Sequence, residues 1–386
     1  MRVRLPVLPV LTVLLLVGSL LGAACAGGTE PAPERVVPRL SVRVIASGLD
    51  HPWEVQPLPS GHLLVTQRTR RTLTLVGAGG AKRNIAFPSA KVWANGETGL
   101  LGLAVDPSFR SNRRIYTCSG WKVGSSHDVR VIAWRLDAKL RTATLVRTLR
   151  AGLPSNSTGR HGGCRLLVLR YGALVVGTGD AARGTNPQSL ASLGGKVLRM
   201  NRFTGAPWPS NPWAKGTGNR RWVLSYGHRN VQGLAQRADG TLWAVEHGSY
   251  RDDEINLIGT GRNYGWNPVP GYDESVPMTD GRLPGTQYGA RWRSGNPTIA
   301  PSGAAFVSGS AWGDLAGSLA VAVLKDERLM FVRFDSAGRL VTTRSPAELR
   351  TRGRLRDVTA LSNGSLLVTT DNGDGRDVVL QVRPVS

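Results

Sequence analysis

Several phrases of the chain carry side chains able to take a proton or hold an anion. His161 stands in STGRHGGCRLLV (157–168), a Gly-rich approach to an apolar run, with Arg165 just inside that run. Asp180 follows GTG at the end of the next apolar stretch, and His228, Arg229 and Asn230 are consecutive in SYGHRNVQGLA (225–235). Arg352, Arg354 and Arg356 alternate in RGRLRDVTAL (352–361), so an extended backbone points all three to one side. Lys325 ends a further apolar run. Each taken alone is weak, because a loop histidine more often serves a turn and an arginine run is more often solvated surface. Together they predict an anionic ligand beside a proton acceptor, since imidazole accepts protons near neutrality and fixed cations bind anions.

A second feature runs against the overall charge. The chain has 49 Lys and Arg against 26 Asp and Glu, a formal net charge of +23. Yet EHGSYRDDEINLIGTGRNYGW (246–266) sets Asp252, Asp253 and Glu254 side by side, among Gly248, Gly259, Gly261 and Gly265. The glycines permit tight turns that aim carbonyls inward. The acidic run lacks the alternation of an EF-hand loop. Asp252 and Asp253 read as solvated loop residues. The basic residues are mostly arginines dispersed along the length, which predicts a basic surface and no nucleic-acid partner.

These residues need a frame, and one phrase recurs along the chain: a turn residue with Gly, an alternating apolar run, a polar break, then a second run. It appears at 60–76, 112–136, 171–180, 239–248, 316–334 and 363–382. Such alternation between Gly, Asn and Asp marks half-buried strands joined by hairpins. Six units predict an all-β, six-bladed propeller of four-stranded antiparallel blades, its long loops gathered on one face. A decorated β-sandwich is the alternative. SVRVIAS (41–47) is a candidate strand to close the ring by joining the last blade.

The first residues, MRVRLPVLPVLTVLLLVGSLLGAACAGG, form an export signal: two arginines, an apolar stretch and small residues before Cys25. Residues 1–25 are therefore read as a leader, of lipoprotein type with Cys25 as the lipidated end or of plain secretory type. Residues 26–40 read as a Pro/Gly tether, and 41–386 as a single propeller domain. An exported bacterial protein is expected, held in the cell envelope or secreted. In an oxidising compartment Cys118 and Cys164 are disulfide candidates.

The phrases GETGLLGLAVDPSF (96–109), HGGCR (161–165), GHRNVQGLA (227–235), EHGSYRDDEINLIGTGRNYGW (246–266), PTIAPSG (297–303) and RLRDV (354–358) fall in one order along the chain. That series resembles the soluble sugar dehydrogenases dependent on pyrroloquinoline quinone (PQQ), the glucose/sorbosone dehydrogenase family of exported six-bladed propellers. The resemblance implies that His161 is the general base, with Asp180 beside it and Arg229 assisting. It implies PQQ contacts from Arg229, Asn230, Thr298, Lys325, Arg354 and Arg356, and substrate contacts from Glu97, Asp180 and Arg165. It implies a calcium ion on the carbonyls of Gly248 and Ser249, and a second held by Glu254, Tyr264 and an acidic side chain near Asp273 or Glu274. Three departures bear on specificity: Glu97 replaces a Gln, Asn296 an aromatic, and Ser249 a Pro. The implied reaction oxidises the anomeric carbon of an aldose to a lactone. No Cys-x-x-Cys-His occurs, so electrons would leave through a separate acceptor, a cytochrome or the quinone pool. The competing class is a non-redox propeller, a calcium-dependent lactonase or a carbohydrate-binding module, which has no need for Lys325, Arg354 and Arg356 to converge.

Overall fold

Six sheets, each of four antiparallel strands, stand in a ring in the computed structural model, which describes residues 36–385. The leader, Cys25 and the tether through Arg35 lie outside the described residues, as does Ser386. The last tether residues belong to the fold instead. Val36 accepts a hydrogen bond from Asp314 N, and Leu40 opens a strand whose side chain joins the apolar core.

Blade 1 contributes Pro52–Pro57 as its innermost strand, and blades 2 to 6 contribute Leu100–Val105, Gly163–Val168, Val231–Gln236, Pro301–Phe306 and Leu355–Ala360. Each inner strand packs against those of both neighbouring blades, and blade 6 meets blade 1. Leu40–Leu49 pairs with Asp377–Pro384 from the other end of the chain, so the first strand completes the last blade. That is the closure expected from residues 41–47.

The six recurring phrases supply the second strand of every blade: Leu63–Gln67, Arg114–Val123, Ala173–Thr178, Leu242–Glu246, Leu319–Val323 and Leu366–Thr370. Most of these are buried on both faces, not on one as alternation suggested. The reason is architectural. Six apolar clusters each lie between two adjacent blades, so both faces of a sheet are covered by its neighbours. Exposure is confined mainly to outer strands such as Leu340–Arg344.

Each inner strand carries a register shift close to its first residue, at Pro52/Glu54, Leu100/Leu103, Gly163/Arg165, Val231/Gly233, Pro301/Ala304 and Leu355/Asp357. A bulge re-aims the side chains around it. All six inner strands enter the ring from the same face, so the sequence motifs preceding them are brought to one mouth. Cys118 of blade 2 and Cys164 of blade 3 are bridged, with Cα atoms 5.5 Å apart, and so tie two blades together beside the His161 turn.

Beneath the mouth, Arg165 plugs the axis. It is 3% exposed. Its Nη1 lies 3.2 Å from Glu54 of blade 1 and 2.8 Å from Asp357 of blade 6, and its Nε donates to the Gln232 carbonyl of blade 4 at 2.7 Å. The guanidinium lies 4.0 Å over the Trp53 ring. Burial pushes the Glu54 carboxyl up to about 8, against the lowering pull of Arg165 and with the Asp357 charge adding to the rise. Arg165, expected to meet substrate, is thus turned into the ring, with its Nη2 buried and without a partner among the described residues. Arg165→Ala should destabilise the fold by about 3–5 kcal/mol in denaturant unfolding, since two buried acidic groups lose their only common cation. A loss under about 1 kcal/mol would show that the ring does not rely on this trio.

Candidate active site

The turn that presents His161 is left-handed at His161 (φ 56°), Gly163 (φ 56°) and Cys164 (φ 81°). It lies so close to the end of the next strand that a Cβ on Gly179 would come within 1.9 Å of the His161 carbonyl. Only glycine fits there. The His161 backbone N–H donates to Glu97 Oε2 at 3.0 Å, and the disulfide anchors Cys164 behind it.

His161 is 3% exposed and its Nδ1 lies 2.7 Å from Oδ1 of Asp180, which is 0% exposed. Ala182 N donates to the same oxygen at 2.8 Å, while Trp266 Nε1 (2.8 Å) and the Tyr272 hydroxyl (2.7 Å) donate to Oδ2. A carboxylate surrounded by donors acts as an acceptor, so His161 carries its proton on Nδ1 and leaves the Nε2 lone pair free. Asp180 orients the imidazole. Both its oxygens are taken, so it does not also reach a substrate as expected.

Adjacent to this pair is a cavity of about 230 Å³ lined by His51, Trp53, Arg68, Glu97, Gln232, His247, Ala300, Leu324, Arg354, Arg356 and Asp371. Arg354 and Arg356 converge here, joined by Arg68. Arg356 is ion-paired to Asp371 and donates to Gln232 Oε1 at 3.1 Å. Burial raises the Asp371 carboxyl, but Arg356 and Arg68 outweigh it and hold it below the ordinary range. Lys325 is exposed at the rim next to Leu324, its Nζ 3.5 Å from Thr298 Oγ1. Asn230 Nδ2 lies 3.4 Å from Glu97 Oε2, linking the histidine side to the cavity. Arg229 is ion-paired to Glu274 and lies 5.7 Å over Trp266.

Spacing alone did not reveal Arg68, His51, His247, Gln232 or Asp371. His247 was visible only as part of the acidic phrase, and Arg68 only as part of a turn. Burial, then Arg356 and Arg229, drive the His247 imidazole well below its ordinary range, so it is neutral. Its Nε2 has no hydrogen-bond partner among the described residues, nor do Arg68 Nε and Arg229 Nε. His228 is structural: it is buried between Ser225 and Glu246 and stacked on Tyr264.

The acidic phrase folds differently from its expected solvated form. Asp253 is buried, and accepts Gly248 N at 2.8 Å, Ile299 N at 2.6 Å and Ala300 N at 2.9 Å. It clips the Gly248–Ser249 turn to the segment holding Thr298. Asp252 is half-buried and pairs with Arg251. The Gly248 and Ser249 carbonyls accept no hydrogen bond among the described residues. Deeper in the blade, Glu246 and Glu254 oppose one another across the ladder. Burial and then the charge of Glu246 push Glu254 up to about 8, although Arg293 lies 3.1 Å away. Asn256 Oδ1 beside them is buried without a partner. Glu274 does not join Glu254 and Tyr264: two guanidiniums hold it, Arg160 at 2.6 Å and Arg229.

A closed ring with a buried histidine–carboxylate pair at one side of a cationic cavity defines a β-propeller enzyme. The chain belongs to the Glucose / Sorbosone dehydrogenase family, whose model matches residues 49–381. It is 32% identical over 360 residues to the aldose sugar dehydrogenase YliI of Escherichia coli (strain K12), covering 89% of this chain and 93% of that protein. The fold matches the crystal structure of the soluble aldose sugar dehydrogenase of Escherichia coli at 30% identity and TM-score 0.80, covering 90% of this chain and 100% of the other. The PQQ-bound aldose sugar dehydrogenase of Streptomyces coelicolor matches at 32% identity and TM-score 0.73, over 89% and 99% of the two chains.

Asp253→Ala should lower stability to guanidinium by about 2–4 kcal/mol, because one buried and two part-buried N–H groups lose a charged acceptor. A change under about 0.5 kcal/mol would mean that water replaces the carboxylate without loss.

Proposed function

We propose that this protein is a PQQ- and calcium-dependent aldose dehydrogenase that oxidises the anomeric carbon to a lactone, with His161 as general base. The observation that carries the reading is the buried His161–Asp180 pair beside a cavity lined by Arg68, Arg354 and Arg356. The residues suit a flat tricarboxylate. Three arginines line the cavity with Lys325 at its rim, opposed by Asp371 and Glu97, and unpartnered nitrogens of Arg68, Arg229 and His247 remain to be satisfied. The donor set also suits calcium, a hard ion that takes oxygen ligands. The unengaged Gly248 and Ser249 carbonyls offer one site. Glu254, with the orphaned Asn256 oxygen and the Tyr264 backbone, supports a second, without Glu274.

When bound, PQQ would supply a quinone as the hydride acceptor, and calcium would supply a Lewis acid. The chain does the rest. Arg354, Arg356, Lys325 and Arg68 would hold the cofactor's carboxylates, with Thr298 alongside Lys325, and Arg229 and Asn230 would contact it from the side of His161. His161 Nε2 takes the proton of the anomeric hydroxyl, and Asp180 holds the Nδ1–H and stabilises the imidazolium that results. Glu97, exposed at the rim and bonded to the His161 backbone, accepts from a sugar hydroxyl.

The leader and Cys25 support export, with attachment to the membrane through a lipid on Cys25 or release as a secreted enzyme. Reduced cofactor would then be reoxidised by a cytochrome or quinone outside the cytoplasm.

Purified protein mixed with PQQ and calcium should gain the absorbance of bound quinone and reduce a dye in the presence of an aldose. No quinone uptake would remove the reading. Chelation of calcium should abolish dye reduction, and added calcium should restore it; activity that survives exhaustive chelation would remove calcium from the proposal. His161→Ala should lower kcat by about 10²–10⁴-fold while PQQ affinity changes less than about threefold. Parallel losses in both would make His161 a binding residue.

A further inference from the structure

We infer that Tyr272 and Trp266 are positioning residues for the His161–Asp180 pair, acting through Asp180; the inference rests on His161 being the base. Neither belongs to the blade that carries the pair. After its third strand ends at Ile258, the chain of blade 4 climbs alongside the outer strand of blade 3, with Gly261 N bonded to Leu224 O at 2.7 Å and Tyr264 N to Tyr226 O at 2.9 Å. It reaches the mouth at Trp266. There the Trp266 backbone N–H donates to Gly227 O at 3.0 Å, and its carbonyl accepts from Gln188 at 2.9 Å. Trp266 is held from both sides by blade 3 before its indole meets Asp180.

The four donors on Asp180 divide evenly. Oδ1 receives His161 and Ala182, both from blade 3, while Oδ2 receives Trp266 and Tyr272, both from the climbing segment. A carboxylate can turn about its last bond and exchange its oxygens. Two donors fixed on Oδ2 remove that freedom and keep Oδ1 on Nδ1. The Tyr272 hydroxyl also lies 3.1 Å from Nδ1, so it touches both members of the pair. Its ring sits edge-on to Trp266, with centroids 6.2 Å apart, and the Arg160 guanidinium lies 5.5 Å over it. Burial and then the Asp180 charge drive the Tyr272 hydroxyl far up, so it remains a donor. Because Asp180 is fully buried, a lost donor has no ready solvent substitute.

Tyr272→Phe is the deciding variant, because it removes the hydroxyl and keeps the ring. It should lower kcat about tenfold, the size of one charge-assisted hydrogen bond, with sugar KM and PQQ affinity within about twofold. In an Asp180→Ala background the same change should alter kcat by less than about twofold, because its route to His161 is already gone. Trp266→Phe should behave in the same way wherever its melting temperature stays near that of the parent. An undiminished kcat in Tyr272→Phe overturns the inference, as does a tenfold loss that persists without Asp180. Wild-type turnover by His161→Ala would remove the base assignment and this inference with it, whereas a Tyr272 failure alone leaves the base in place.

Discussion

The second strands of most blades are buried on both faces, and no sheet can cover itself. Burial of apolar surface is the main force favouring folding, so each blade requires a neighbour on either side. Only a closed ring satisfies all six. Closure is made by pairing the first described strand with the last, and it leaves one consequence for chemistry: the inner strands all enter from the same mouth. Residues more than two hundred positions apart, such as Glu54 and Asp357 on either side of Arg165, then meet on the axis. The buried trio is a poor source of stability in itself. Its geometric effect is to stop the channel under the cavity, so that the mouth is a pocket with a floor.

Above that floor, charge is sorted. Arg68, Arg354 and Arg356 line one cavity, and the carboxylates near them are either paired or held at the rim. The imidazole stands apart from the cations and is oriented by Asp180, whose own oxygens are saturated with donors. Free ends remain where a ligand would need them: two unengaged carbonyls, the unpartnered nitrogens of Arg68, Arg229 and His247, and the lone pair of His161. Buried polar atoms without partners are uncommon in folded proteins. Those of Arg68 and His247 belong to residues lining the cavity, which accords with a site shaped for a polar, anionic molecule.

Much of this was legible beforehand, for specific reasons. The recurring strand phrases expressed the blades because each second strand is a largely apolar run bounded by turn residues, which local sequence records directly. The histidine, its carboxylate and the alternating arginines stood out because they break apolar runs at strand ends. Asp253 and Glu274 depart from the sequence expectation for a shared reason. A carboxylate in a loop looks the same in sequence whether it meets water, a backbone N–H or a guanidinium. Asp253 turned out to staple a turn, and Glu274 to sit between Arg160 and Arg229. Arg165 looked like a site residue from its place in HGGCR, but its bulged strand turns it into the ring instead of toward the cavity.

By itself, then, the order of residues determined which segments become strands, how many blades they make and which motifs precede inner strands, because those properties depend on local apolar pattern and turn chemistry. It also determined the types of side chain available at the mouth. Tertiary structure alone decided which of them face the cavity, because that depends on the bulges and on ring closure. It decided as well that Tyr272 and Trp266, carried up from the adjacent blade, complete the shell of Asp180: hydrogen bonds between segments eighty or more positions apart leave no periodic trace in a sequence.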